Sequence, residues 1–375
     1  MARRVQVIQQ EAVPPWVAAL MTEGTLIGPR HGPNGDPQLA PLQAVEELNL
    51  AYTHDLLPPT RYLLPPTEVL FRFQGGESLS LSPEYDERRR VFFGIRSCDV
   101  KGIRYQEQFF RRDFPDIYFL TRLENATLVS LACMAPPLPT CFCPCCDGGP
   151  LLKPGEGHDL QLTPLQGRYL VEADSEAGDA LVAKAPELFR EATAADLAER
   201  EELLSQIDQR FSTTGYLSRG ISKVTNDAVP EEVWEELAER CIHCGGCAYL
   251  CPFCTCFTVS DRSRDGQQGE RFRRWDHCIL AGFTREASGH NPRDRKCEQF
   301  KRRFFHKLSY QYLQREGRPG CVGCGRCLTT CMTAVDMAAV LMRFRELGRK
   351  PKWGPPWAVK PRTSPLSLLR EFVLP

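Results

Sequence analysis

Residues 241–251 read CIHCGGCAYLC, and far downstream residues 321–331 read CVGCGRCLTTC. Each run sets three cysteines at C-x-x-C-x-x-C and a fourth after three more residues. Thiols spaced this closely make poor disulfide loops and good metal ligands. A cubane iron–sulfur cluster needs a thiolate at each of four irons. Three closely spaced cysteines in a tight loop wrap one side of such a cube, while the fourth, on the following helical turn, points away. When two such runs share one folding unit, the outlying cysteine of each serves the other cage. The expected ligand sets are therefore Cys241, Cys244 and Cys247 with Cys331, and Cys321, Cys324 and Cys327 with Cys251. A lone C-x-x-C fits a zinc knuckle or a redox pair, but two complete runs fit a pair of [4Fe-4S] clusters better. Gly245, Gly246, Gly323 and Gly325 let backbone N–H groups approach the sulfurs. Pro252 follows the fourth cysteine of the first copy, and Met332 stands there in the second.

The rest of the composition narrows the setting. The chain has 375 residues, with 47 Lys and Arg against 47 Asp and Glu. That neutrality argues against nucleic acid or an anionic membrane as a partner. No apolar run is long enough to span a bilayer, and the start MARRVQVIQQEAVPPW lacks the apolar stretch of a secretory signal. A cytoplasmic location is expected, where eighteen cysteines are metal ligands or free thiols rather than disulfides.

The pattern predicts an α+β chain. An N-terminal α/β-type domain (1–225) precedes a dicluster ferredoxin-like domain (226–345) with a long insert, and a Pro-rich extended arm (346–375) closes the chain. Strands are expected at 68–73, 89–95, 116–123, 126–132 and 168–173, each rich in Val, Ile, Leu, Phe or Tyr and bounded by Pro, Gly or Asp. Helical spacing with an acidic bias runs through 174–210. Residues 213–230 read as a linker. Pro and two Glu open a helix that runs into Cys241, and a second helix over 298–317 ends at Gly317, ahead of Cys321.

Six further cysteines gather in the first domain: Cys98, Cys133, Cys141, Cys143, Cys145 and Cys146. Cys98 and Cys133 follow predicted strands, where α/β sheets collect ligands. Two readings stand, a third cluster on Cys98, Cys133, Cys141 and Cys143, or buried structural thiols with a reactive loop. Cys145 and Cys146 fall outside either set, since adjacent cysteines share one metal poorly. Cys254, Cys256, Cys278 and Cys297 lie in or beside the insert. A further cluster on Cys254, Cys256 and Cys278, tuning of a neighbouring cluster, and apolar packing are all open. His243 and His277 flank these runs and are read as hydrogen-bonding groups rather than ligands. The basic stretch 262–307 reads as a solvated face, or as a rim for an acidic electron carrier or partner. No G-x-G-x-x-G, phosphate loop or Ser/His/Asp arrangement is present, so no flavin or nicotinamide site is expected in this chain.

The segments LPPTEVLFRF, FFGIRSCDVKGI, LPTCFC, CIHCGGCAYLCPFCTCF, RRWDHC, ASGHNPR and FFHKLSY leading into CVGCGRC carry a resemblance. Together they resemble the family that holds the iron–sulfur subunits of anaerobic sulfite reductases and the beta subunits of cytoplasmic sulfhydrogenases. The resemblance implies a non-catalytic electron-transfer subunit beside an FAD- and NAD-binding flavoprotein. It further implies a catalytic redox subunit of hydrogenase, sulfite reductase or heterodisulfide-reductase type, with a ferredoxin-type carrier as an additional partner. It also supports roles for Cys98, Cys133, Cys141 and Cys143, and the chain departs from the family's pattern at Cys145 and Cys146. Two other functions compete: a cysteine-based reductase of disulfides or sulfur compounds, and an iron–sulfur regulator that binds nucleic acid.

Overall fold

The computed structural model describes residues 4–347 apart from 77 and 265. Short apolar runs form β1 (Val5–Gln9), β2 (Thr25–His31), β3 (Pro37–Pro41), β4 (Thr67–Gln74), β5 (Ser80–Pro83), β6 (Arg90–Ile95), β7 (Ala126–Leu131), β8 (Leu160–Leu165), β9 (Arg168–Ala173), β10 (Phe189–Glu191), β11 (Phe257–Ser263) and β12 (Gln268–Trp275). The larger sheet has the order β10-β1-β9-β8-β7-β6-β2-β3. Its β2, β6, β7 and β8 are parallel. Antiparallel strands complete both sides. Every residue of β6 is buried, as a parallel strand covered on both faces should be.

The smaller sheet, β11-β12-β4-β5, is antiparallel throughout. Here the insert hairpin pairs with a strand of the N-terminal half, so the stretches on either side of residue 225 share one sheet. The insert is not simply a solvated basic face. Arg273 is buried and ion-paired with Glu68 and Asp116, because a guanidinium inside a protein needs carboxylates around it.

The helices are α1 (Val13–Leu20), α2 (Ser97–Arg111), α3 (Ile117–Glu124), α4 (Glu176–Val182), α5 (Ala194–Ser205), α6 (Leu217–Thr225), α7 (Glu231–Arg240), α8 (Gly246–Tyr249), α9 (Lys296–Leu308), α10 (Tyr310–Glu316), α11 (Arg326–Thr330) and α12 (Met337–Glu346). Three expectations need correction. Residues 116–123 form α3 rather than a strand. Asp116 caps it by accepting the Phe119 N–H at 2.9 Å, and Phe119, Leu120 and Leu123 bury one helical face. Residues 213–230 are not a linker, because α6 lies there with Leu217, Gly220 and Val224 buried. The helix expected over 298–317 is broken at Ser309, whose backbone is extended (φ −69°, ψ 142°), into α9 and α10. The acidic stretch 174–210 likewise holds two helices, α4 and α5, with β10 between them. The Pro-rich arm lies, from residue 348 on, outside the described residues.

Three apolar cores result. The largest surrounds the eight-stranded sheet and contains no cysteine. The second gathers Trp234, Phe300, Phe304, Leu341 and Phe344 from α7, α9 and α12, with Cys241. A small third core, of Cys98, Tyr105, Phe253 and Val322, lies between them. Helix α2 forms this seam. A Cβ on Gly102 would stand 2.6 Å from the Pro252 side chain, so only glycine lets the first cysteine run dock so closely. Gln106 donates to the Cys254 carbonyl at 2.8 Å, and the Tyr105 and Phe253 rings lie 4.6 Å apart.

Candidate iron–sulfur centres

Helix α7 delivers the chain to Cys241. The loop beyond it turns through two residues of positive φ, His243 (50°) and Gly245 (76°). Gly245 starts α8, which carries Cys247. The second run repeats this backbone: Gly323 (69°) and Gly325 (79°) have positive φ, and Gly325 starts α11, which carries Cys327. The two short helices pack on each other. Packing of this kind brings the distant runs together.

Cys241, Cys244, Cys247 and Cys331 line one cavity, closed by Phe300, Phe304 and Val335. The His243 N–H reaches the Cys241 sulfur at 3.4 Å, and the Val335 N–H reaches the Cys331 sulfur at 3.3 Å. Backbone donors of this sort stabilise a thiolate and tune a cluster's potential. The His243 ring is not among the cavity walls.

Cys251, Cys321, Cys324 and Cys327 form a second group whose charges act on one another. The buried Lys307 ammonium donates to the Cys251 sulfur at 3.2 Å and to the Gly320 carbonyl at 2.9 Å. Burial alone would lower the Lys307 pKa, but Cys251 and Cys254 beside it prevail and raise it.

Cys98, Cys133, Cys141 and Cys143 also meet. Cys98 lies in the first turn of α2 after β6, and Cys133 follows β7, at the C-terminal ends of two parallel strands. All four are between 4% and 7% exposed, and each lies close enough to feel another's charge. Their loop rests directly on the second cysteine run. Phe142 N–H donates to the Gly323 carbonyl at 2.8 Å, and the Cys141 thiol faces the Cys324 carbonyl at 3.6 Å. A fully buried ion pair, Arg326 to Asp99 at 2.7 Å, ties the second run to α2 one residue beyond Cys98.

The donor chemistry fits [4Fe-4S] clusters. Burial pushes the Cys141 thiol up to about 12 and the Cys324 thiol up to about 11, and it raises Cys98, Cys133 and Cys143 as well. Such thiols ionise only where a cation compensates them, which iron provides. Among the described residues, no three His, Cys, Asp or Glu side chains converge as ligands of a single metal ion. Four cysteines instead line the wall of the first cavity, the number of thiolates a [4Fe-4S] cage takes.

Cys254, Cys256 and Cys278 line another cavity, with His277, Arg303 and Lys307. Cys297 stands apart, buried with its thiol on Glu231 at 3.5 Å. Cys145 is exposed, whereas Cys146 is buried against Cys321, so the adjacent pair does not act as one unit. Sequence pattern did not single out the buried cations Arg303, Lys307 and Arg326, or His306. Residues 303, 306 and 307 recur at helical spacing just ahead of the second run, and that spacing is the signal that points to them.

Comparison with known proteins agrees with this geometry. Residues 240–335 match the model of the 4Fe-4S dicluster domain. The chain is 29% identical over 340 residues to Sulfhydrogenase 2 subunit beta of Pyrococcus furiosus, an alignment that covers 90% of this chain and 98% of that one. Among the described residues no helix is long and apolar enough to cross a membrane.

Proposed function

From an iron–sulfur electron-transfer protein like the sulfhydrogenase beta subunit, with a 4Fe-4S dicluster domain at its C-terminal end, we propose a cytoplasmic relay subunit. It passes electrons between an FAD- and NAD(P)-binding flavoprotein and a catalytic redox subunit of hydrogenase, sulfite reductase or heterodisulfide-reductase type, with a ferredoxin-type carrier as a further partner. Nucleic acid is not a partner in this reading. Cys241, Cys244, Cys247 and Cys331 hold one [4Fe-4S] cluster, Cys321, Cys324, Cys327 and Cys251 a second, and Cys98, Cys133, Cys141 and Cys143 a third. Each cluster, when bound, accepts and releases one electron without breaking bonds.

The observation that carries the proposal is the cavity walled by Cys331 together with Cys241, Cys244 and Cys247. The protein's own part is to hold these sulfurs, to exclude water with Phe300 and Phe304, and to set potentials. It sets them through N–H donors at Cys241 and Cys331 and through the Lys307 ammonium at Cys251. Purified anoxically, the chain should carry at least about twelve irons, four for each of the three cubanes. Co-purification should bring down a flavoprotein. Zinc in place of iron, or turnover of a sulfur substrate by the isolated chain with an artificial donor, would sink the relay reading.

A further inference from the structure

The cavity beside the second cysteine group is a site in its own right. It lies between Cys254, Cys256, Cys278, His277 and His306, with Arg303 and Lys307 on its cationic side. The β11–β12 hairpin builds it. Phe257 pairs with Trp275 at the hairpin's open end, and the Asp276 N–H donates to the Cys256 carbonyl at 3.2 Å. The strands therefore deliver Cys256 and Cys278 to the wall of the same cavity. Cys254, two residues before Cys256, donates its N–H to the Cys251 carbonyl of the second group at 3.1 Å.

The two histidines are chemically distinct. His277 is 1% exposed, and its Nδ1 accepts the Ile279 N–H at 3.0 Å. A ring that accepts at Nδ1 carries its proton on Nε2. Among the described residues that buried Nε2–H has no oxygen or nitrogen acceptor, and the ring stands beside Cys278. His277 is thus set to donate toward sulfur and not to ligate iron. His306 comes from α9, one turn beyond Arg303 and next to Lys307, and its ring is held edge-on by Tyr312 at 4.5 Å.

We propose that this cavity holds a further [4Fe-4S] cluster on Cys254, Cys256 and Cys278, with the His306 imidazole at its fourth iron and His277 donating an N–H to its sulfur. The charge balance favours this set. Three thiolates and a neutral imidazole leave the cage with one fewer negative charge than four thiolates would. Arg303 and Lys307, buried against the same wall, compensate what remains. The contact between Cys254 and Cys251 makes the new cage the neighbour of the second one. The inference rests on the relay reading and gives it one more station.

The test uses the full chain prepared anoxically. Cys256→Ala with Cys278→Ala should lose about four irons and one reducible centre, while the dicluster signals persist. His306→Cys should keep the iron count and lower one midpoint potential, since histidine ligation raises it. In the unmodified protein, pulsed EPR of the reduced state should show a directly bound histidine nitrogen, which needs no variant to fold. Unchanged iron content and redox centres in the double variant, no bound nitrogen in the parent, or Cys256 and Cys278 joined as a disulfide would overturn the inference. A parent devoid of iron would instead sink the relay reading itself.

Discussion

Gly323 shows how single residues hold the centres together. Its φ is positive, and an added Cβ would stand 2.6 Å from the Phe142 carbonyl oxygen. The glycine allows the backbone of the second cysteine run to lie on the loop that carries Cys141 and Cys143. Gly323→Ala adds left-handed strain to a backbone clash, a loss expected to reach about 2 kcal/mol or more. Thermal unfolding should start earlier, and iron should fall by more than one cage's share, because both loops must move. An unchanged iron count would show that the two loops bind independently. Arg326 makes the other link. Its guanidinium and the Asp99 carboxylate are both fully buried, so Arg326→Met strands the carboxylate and should cost about 3–5 kcal/mol. Pairing that change with Asp99→Leu should recover much of the loss, measured by denaturant midpoint, because removing both charges removes the uncompensated one.

Local start signals decide the elements, and α5 is the clearest. Thr193 accepts the Asp196 N–H, while the Asp196 carboxylate accepts the Thr193 N–H at 2.8 Å. Thr193→Ala should lower stability by about 1 kcal/mol and leave iron content unchanged. Hydrogen bonds from Arg190, then from Thr193 and Arg168, hold the Asp196 carboxyl well below its usual range, against a smaller opposing effect of burial. A depressed carboxyl stabilises the fold above its unfolded value of about 3.9, and that stability is lost as pH falls through the folded value. Urea midpoints taken downward from pH 5 should therefore fall more steeply for the parent than for Asp196→Asn. Parallel slopes would remove Asp196 as the cause. Such caps also explain what the sequence alone revealed. The cysteine runs were legible because ligand spacing is a local property, and β6, β7 and β9 because each centres on a short apolar stretch. Residues 116–123 misled because Ile117, Tyr118 and Phe119 favour strands, and only the Asp116 cap and tertiary burial of Leu120 and Leu123 decide for a helix. The pairing of β4 with β12, and the meeting of His306 with Cys278, join residues far apart in sequence, and no local pattern encodes that.

Across the whole molecule, the three cores differ in how far they depend on metal. The core around the eight-stranded sheet holds Trp16, Phe92, Phe93 and Leu128 but no cysteine. The second core counts Cys241 among its buried residues and packs Cys247, Cys321, Cys327 and Cys331 at its edge, and the seam core is built around Cys98. Buried thiols that lose iron must take up protons and leave room where a cage stood, so the cost falls on the second and third cores. Stripping iron with a chelator under reducing, anoxic conditions should then split unfolding in two. Amide exchange should accelerate across residues 241–256 and 296–341 while β6, β7 and β8 stay protected, since those strands are hydrogen-bonded on both sides within a core that loses nothing. The seam predicts where the boundary falls. Helix α2 should lose protection in its first turn, beside Cys98, before its last, beside Phe110 of the large core. Uniform loss of protection over both sheets would mean that the cages hold up the entire chain. No change anywhere would mean that they are passengers in a fold that stands without them.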